Sequence, residues 1–273
     1  MSHVGGASTR RPRAAAAFVD ELLKVGRVGF PLSQLLEATG LKVDAAKAQL
    51  RRLGPRVVRI PPASPFFLIV CPEHQSAGGP PVEWWLDDYF TWLKHPYYLA
   101  LQSAAGALGS SPQSIQVTQI MTDKPRKPIE LGRLKIVFFV KRGIARTPTQ
   151  QLLNAFAPTR VSTPAATAFD LVRYAPRIGG IGRAVETLRP LLSQIRRPEL
   201  NAVLDAEDET TTAQRLGFIL EKAGQSKLAD LVAAWLSGRR QPFISMVPTK
   251  VDRQAAAVSS RWRVLDNSGE FSP

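Results

Sequence analysis

The stretch Pro31-Leu32-Ser33-Gln34-Leu35-Leu36-Glu37-Ala38-Thr39-Gly40-Leu41-Lys42-Val43-Asp44-Ala45-Ala46-Lys47-Ala48-Gln49-Leu50-Arg51-Arg52-Leu53 decides how this chain is read. Its first nine residues place Leu32, Leu35 and Leu36 on one face of a short helix, and Gly40 closes it. A second helix over 43–53 aligns Val43, Ala46, Leu50 and Leu53 in one stripe. That stripe turns Asp44, Ala48 and Arg51 to the opposite side, with Lys47 and Arg52 flanking them. Upstream, residues 12–25 predict a helix that Pro12 opens, with Phe18, Leu22 and Val25 at helical spacing. Downstream, 56–60 and 66–70 are strand-like and enclose the turn Pro61-Pro62-Ala63-Ser64-Pro65.

Two short amphipathic helices joined by a glycine-containing turn are a helix-turn-helix signature. With a preceding helix and a following hairpin, the order becomes that of a winged helix-turn-helix. The outward face mixes alanine with long cations, which lets a backbone approach closely while offering donors to phosphates and base edges. Lys42, Lys47, Arg51, Arg52, Arg56 and Arg59 are the candidate DNA-binding residues, with Lys47 and Arg51 placed best for base contacts. The competing reading is a solvated helix whose charges serve solubility alone.

The composition supports a polyanionic partner. The 273 residues carry 36 Lys+Arg against 22 Asp+Glu, a formal charge of +14. Residues 1–71 hold 11 basic and 4 acidic side chains, and residues 124–146 hold 8 against one, so each stretch carries +7 and the remainder balances. The second stretch contains Lys124, Arg126, Lys127, Arg133 and Lys135, around a proline-rich turn that keeps its charges extended. It reads equally as a second basic surface, a docking site for an acidic partner, or solvated loop.

At 44% hydrophobic and 21% charged, the chain has enough apolar material for two domains. Residues 72–82 have linker composition, which sets expected boundaries of 1–71, 72–82 and 83–273. Beyond the linker, Trp84, Trp85, Leu86, Tyr89, Phe90, Trp92 and Leu93 read as an aromatic helix serving as core. Pro96 interrupts it, and 97–108 resumes as an alanine-rich helix. Strands follow over 114–121 and 135–141. From about residue 161 the chain reads as mainly helical, with short strands near 243–247 and 261–265. The fold class expected is α+β, a winged helix-turn-helix followed by a larger mixed α/β domain with a helical C-terminal part.

Several functions are set aside. No apolar run reaches the roughly 18 residues of a membrane span, and the basic N-terminal Arg10-Arg11-Pro12-Arg13 precedes too short an apolar stretch for a signal peptide. No membrane association and a cytoplasmic location are therefore expected. The single Cys71 excludes an internal disulfide, and His3, His74 and His95 lack metal-ligand spacing, so no metal and no cofactor are expected. Gly179-Gly180-Ile181-Gly182-Arg183 lacks the Lys-Ser/Thr ending of a P-loop and reads as a helix start. No Glu-x-Lys or Asp-x-Lys pair is present, and the acidic run Asp205, Glu207, Asp208 and Glu209 reads as a solvated inter-helix loop. No catalytic constellation emerges, and the chain is not read as an enzyme.

Four segments carry a resemblance: Tyr97-Tyr98-Leu99-Ala100-Leu101-Gln102-Ser103-Ala104-Ala105, Lys135-Ile136-Val137-Phe138-Phe139-Val140, Val161-Ser162-Thr163-Pro164-Ala165-Ala166-Thr167-Ala168-Phe169-Asp170-Leu171-Val172, and Arg215-Leu216-Gly217-Phe218-Ile219-Leu220-Glu221. In order and spacing they resemble the AbiEi family of antitoxins. The resemblance implies a winged-helix autorepressor that binds repeats in its own promoter. It also implies a second domain that counteracts a co-encoded nucleotidyltransferase-like toxin, by direct or indirect means. It gives added weight to Lys124, Arg126, Lys127, Arg133 and Lys135 as a DNA-contacting surface. With no coiled-coil heptads, a monomer binding double-stranded DNA repeats cooperatively is expected. The alternatives are an effector-sensing winged-helix regulator without a toxin partner, and a nucleic-acid-processing enzyme.

Overall fold

A computed structural model describes residues 14–62, 64–110, 117–152, 157–248 and 257–270. His3, the arginines at 10–13, Pro12, Ala63 and the start of the strand expected at 114–116 lie outside the described residues. The chain is a mixed α/β protein whose contacts divide it into two compact units.

The first unit comprises the described residues of 1–94, 127–135 and 153–159. It opens with α1 (Ala14–Lys24), β1 (Gly29–Pro31), α2 (Leu32–Thr39) and α3 (Val43–Arg52). Two strands follow, β2 (Val57–Arg59) and β3 (Phe66–Ile69), and then α4 (Leu86–Leu93). The sheet order is β1-β3-β2, antiparallel throughout, with Phe30 opposite Phe67 and Val58 opposite Leu68. Strand β1 was not expected, because three residues ending in proline give no periodicity to read. The helices pack through Val19, Leu22, Leu35, Ala46 and Leu50 against Phe30 and Phe67 of the sheet. Val25 and Val43 face solvent instead of the core, at 69% and 43% exposure. The α1 amino terminus is tied to α3 by the Ala15 N–H, which donates to Gln49 Oε1 at 2.9 Å.

Composition alone suggests a break at 72–82, yet the contacts carry this unit through Lys94. The cause is aromatic: Phe66 of β3 meets Tyr89 and Trp92 of α4 at ring separations of 5.2 and 5.5 Å. Trp85 is fully buried beside them. Arg27 and Asp88, paired at 3.3 Å, add a polar tie. The aromatic helix is core, and the apolar area it needs lies on the sheet before the linker.

The second unit comprises the described residues of 95–126, 136–152 and 160–273. Along this half the chain forms β4 (Tyr97–Leu99), α5 (Leu101–Ala107), β5 (Val117–Thr122), β6 (Ile129–Leu131), β7 (Leu134–Val140), β8 (Thr149–Leu152) and β9 (Thr159–Ser162). Strand β6 and the first two residues of β7 count with the first unit. The sheet of the second unit runs β7-β5-β4-β9-β8. Here one expectation fails. Residues 97–99 form a strand, antiparallel to β5 and parallel to β9, rather than the start of a helix. Pro96 stops the preceding helix, and two tyrosines suit a buried strand better than a helix turn.

Helix α6 (Pro164–Arg173) is the axis of this unit, with every residue from Pro164 to Val172 buried. Thr163 caps it by accepting from the Ala166 N–H. Around it pack α5, α7 (Gly180–Leu188), α8 (Arg197–Glu207) and α9 (Thr210–Lys222), and α10 (Ser226–Leu236) covers α8 and α9. The chain ends in a small sheet of β10 (Ile244–Ser245), β11 (Ala257–Ser259) and β12 (Val264–Asp266), in the order β10-β12-β11.

Candidate functional site

All six candidate residues of the first unit are exposed: Lys42, Lys47, Arg51, Arg52, Arg56 and Arg59. Burial of Ala46 and Leu50 fixes the roll of α3 and turns Lys47 and Arg51, one helical turn apart, outward together. Among the described residues, neither side chain makes an ion pair or hydrogen bond. Arg59 belongs to the hairpin, where its Nε donates to the Ser64 carbonyl oxygen at 2.7 Å. Lys47, Arg51 and Arg59 line a single groove of about 550 Å³ between α3 and the hairpin. Its floor is apolar, formed by Leu32, Leu50, Val57 and Phe67.

Arg56 is engaged differently, its terminal nitrogen 2.7 Å from Asp20 of α1. Both partners are about half exposed, and such pairs contribute about 0–1 kcal/mol, so an incoming phosphate can compete for Arg56. Lys42 precedes α3 as its cap residue, and Arg52 ends it. The structure thus gathers three candidates at one groove, whereas Lys42, Arg52 and Arg56 are not part of its lining.

The second basic stretch is divided. Lys127, Arg133 and Lys135 belong to the unit that contains α3, whereas Lys124 and Arg126 belong to the other. Two glycines hold the turn after β6 in place. A Cβ on Gly78 would lie 2.7 Å from Gly132 Cα, and one on Gly132 would lie 2.7 Å from the Ala77 carbonyl oxygen. Only a backbone without side chains fits this crossing, and there the Arg133 N–H donates to Ala77 at 2.9 Å. Lys124, Lys127, Arg133 and Lys135 are exposed, Lys135 with Glu130 at 2.9 Å, while Arg126 is half-buried.

Lys141, which contributes to the +7 of 124–146, is not a surface charge. It is 2% exposed. Its ammonium donates to Asp170 at 2.7 Å and to Tyr98 Oη at 3.2 Å, and lies 2.6 Å from Glu207. Three acceptors match the three N–H bonds of an ammonium. Tyr98 Oη in turn donates to the second Asp170 oxygen at 2.7 Å. Glu207 accepts from Thr147 at 2.9 Å and from Arg173 at 3.2 Å. Burial, reinforced by the Asp170 carboxylate, pushes the Tyr98 phenol well above its ordinary value. Lys141 and Arg173 hold Asp170 and Glu207, and Arg173 also reaches Glu209 at 3.0 Å, so the cluster is an internal fastening that continues to the start of α9.

This cluster corrects the reading of Glu207 as part of a solvated loop, since its side chain is 4% exposed. The signal available in the sequence was Asp170, a lone carboxylate in the otherwise apolar or small run of α6. A buried acid there requires a cation from elsewhere in the chain. Three of the four segments quoted for the family resemblance lead to this point: Tyr98 in the first, Lys141 directly after the second, and Asp170 in the third.

The fourth segment has its own task, holding the C-terminal chain. Gln214, just before it, donates from Nε2 to the carbonyl oxygens of Pro242 and Trp262. Arg215 donates twice to the Ser245 carbonyl oxygen, at 3.0 and 3.1 Å, and its burial lowers its pKa. Gly217 leaves room for the buried Trp262 ring, and Glu221 accepts from the Trp262 indole at 2.9 Å and from Arg261 at 2.7 Å. Among the described residues, no cluster of three or more His, Cys, Asp or Glu side chains could hold a metal ion. Nor is any helix long and apolar enough to cross a membrane.

Comparison with known proteins agrees with this anatomy. The RV2827C protein from Mycobacterium tuberculosis has a crystal structure that aligns with a TM-score of 0.66 at 16% identity, over 95% of this chain and 94% of that one. An antigenic nucleotidyltransferase-like protein from Paracoccidioides brasiliensis aligns over 60% of this chain and 94% of its own, at 10% identity. Its TM-score of 0.38 is too low to establish a shared fold. No curated protein matches the sequence. The AbiEi antitoxin C-terminal domain matches residues 98–222, a span that begins at Tyr98 and contains Lys141, Asp170 and Glu207. Residues 98–222 therefore carry an AbiEi antitoxin C-terminal domain.

Proposed function

We propose that the first unit is a winged helix-turn-helix that binds double-stranded DNA in its own promoter, and that the protein thereby represses the operon encoding it. In this reading α3 is the recognition helix, the β2–β3 hairpin is the wing, and Lys47, Arg51 and Arg59 make the central contacts. Lys42, Arg52 and Arg56 hold flanking phosphates, Lys127, Arg133 and Lys135 of the same unit add backbone contacts, and Lys124 and Arg126 of the other unit are further candidate cations. The observation that carries the reading is the outward pairing of Lys47 and Arg51 on α3, unpartnered among the described residues and beside Arg59 of the hairpin. Gel-shift titration with DNA from upstream of the gene tests it. Retarded bands at low salt that vanish on Lys47→Glu/Arg51→Glu are expected, and no binding at low salt excludes the repressor role.

The second domain, in the same proposal, counteracts a co-encoded nucleotidyltransferase-like toxin, and the protein acts by binding rather than by turnover. The antitoxin-domain match over residues 98–222 supports an antitoxin role, and the toxin's class comes from the resemblance. Co-expression of the neighbouring gene with the full chain is the test. Growth restored by the wild-type protein is the expected result, and persistent arrest contradicts it. The protein is proposed to be a monomer that fills adjacent repeats cooperatively, which sedimentation of the free and DNA-bound protein would show.

A further inference from the structure

We propose that the groove between α3 and the β2–β3 hairpin is also a binding site for a small planar amphipathic anion, of the aromatic carboxylate class, and that its occupancy displaces DNA. The volume of about 550 Å³ lies within the range of small-molecule sites, about 300–1,000 Å³. Its wall has two chemistries. Leu32, Leu50, Val57 and Phe67 make an apolar floor, while Lys47, Arg51 and Arg59 stand at the rim.

A phosphodiester backbone gains nothing from such a floor, and a small inorganic anion engages only the rim. A flat apolar body bearing one carboxylate satisfies both surfaces. Lys47 and Arg51, four residues apart on one helix, are like charges that repel each other. An anion seated between them relieves that repulsion and gains charge-assisted hydrogen bonds. Arg59, held at the hairpin through Ser64, closes the third side. The same cations serve both partners, so ligand and DNA exclude each other. That consequence rests on the DNA reading above, whereas the ligand site does not.

The test is titration of the isotope-labelled full chain with 2-naphthoate, followed by amide NMR shifts, beside two controls. The neutral 2-naphthalenemethanol lacks the charge, and acetate lacks the ring. The expected result is that naphthoate shifts signals of Leu32, of the non-proline residues of 47–59, and of Phe66 and Phe67. Its Kd is expected to be at least about tenfold below that of either control, and about tenfold weaker in Lys47→Gln/Arg51→Gln. An otherwise unchanged spectrum of that variant shows that it remains folded. Equal affinity for acetate, shifts scattered away from the groove, or an unaffected double variant overturns the site. Gel shifts with promoter DNA separate the two claims. Displacement of DNA by naphthoate supports the competition, and DNA binding indifferent to saturating naphthoate overturns it. Naphthoate bound in the groove of a protein that binds no DNA keeps the site and removes the DNA reading.

Discussion

Lys141 Nζ lies 2.7 Å from Asp170 Oδ1, with the two side chains at 1% and 0% exposure. Removing one member of a buried pair strands the other's charge in a low-dielectric interior, at a cost of about 3–5 kcal/mol. Lys141→Met is therefore expected to lower the melting temperature by roughly 10 °C. Thermal unfolding followed by circular dichroism measures it. A loss below about 1 kcal/mol would show that the cluster does not hold the second unit together.

The C-terminal clasp makes an independent prediction. A Cβ on Gly217 would come within 2.1 Å of Trp262 Cζ3, so the ring must move or α9 must bend. Gly217→Ala, which ordinarily favours a helix, is expected instead to destabilise by about 1–3 kcal/mol through overpacking. Urea unfolding with tryptophan emission reads both the midpoint and the displaced indole. A stabilised variant would contradict the clasp.

Two tyrosines give the protein a signature in alkali. Burial, opposed in part by Arg173, raises Tyr174 to about 12, and Tyr98 is also raised. Both are protonated below pH 10 in the folded and unfolded states alike. Above about 10 the unfolded chain ionises first. Stability from this source is thus fully present below pH 10 and declines as pH rises toward 12. Phenolate absorbance at pH 11 is expected to show both groups still protonated while the fold persists. Their full ionisation in the folded protein at pH 11 would refute the burial argument.

For the second basic stretch, the division between units matters. Lys127→Glu/Arg133→Glu/Lys135→Glu alters the unit that contains α3 and is expected to weaken promoter binding, though less than Lys47→Glu/Arg51→Glu. Anisotropy titrations of both variants at one salt concentration rank them. Equal affinity of the triple variant and the wild type would leave this stretch outside the DNA surface, and toxin neutralisation would then be its remaining assay.

Local periodicity was sufficient for the helices of the first unit and for the exposed face of α3, but it failed at the helix ends, where Val25 and Val43 sit at helical spacing yet face solvent. It missed β1 and β4, whose three residues become strands only through partners far along the chain, Phe67 for Phe30 and Met121 for Tyr98. The same limit hid the reach of the first unit to Lys94, since Phe66 and Tyr89 are separated by a linker that looks like a boundary. It also hid Lys141, which a charge count registers as basic surface although three distant oxygens claim it. Candidate contacts on one helix were therefore readable, whereas a charge cluster drawn from β4, α6, α8 and the end of β7 was not.

The central claim is that Lys47 and Arg51 bind DNA phosphates or bases directly. The salt dependence of promoter binding tests it most directly. If about six phosphates are neutralised, log K for the wild type falls against log salt with a slope of about −5. In Lys47→Gln/Arg51→Gln the slope is expected to become shallower by about two, along with the loss of affinity. An unchanged slope and affinity in the double variant would contradict the account.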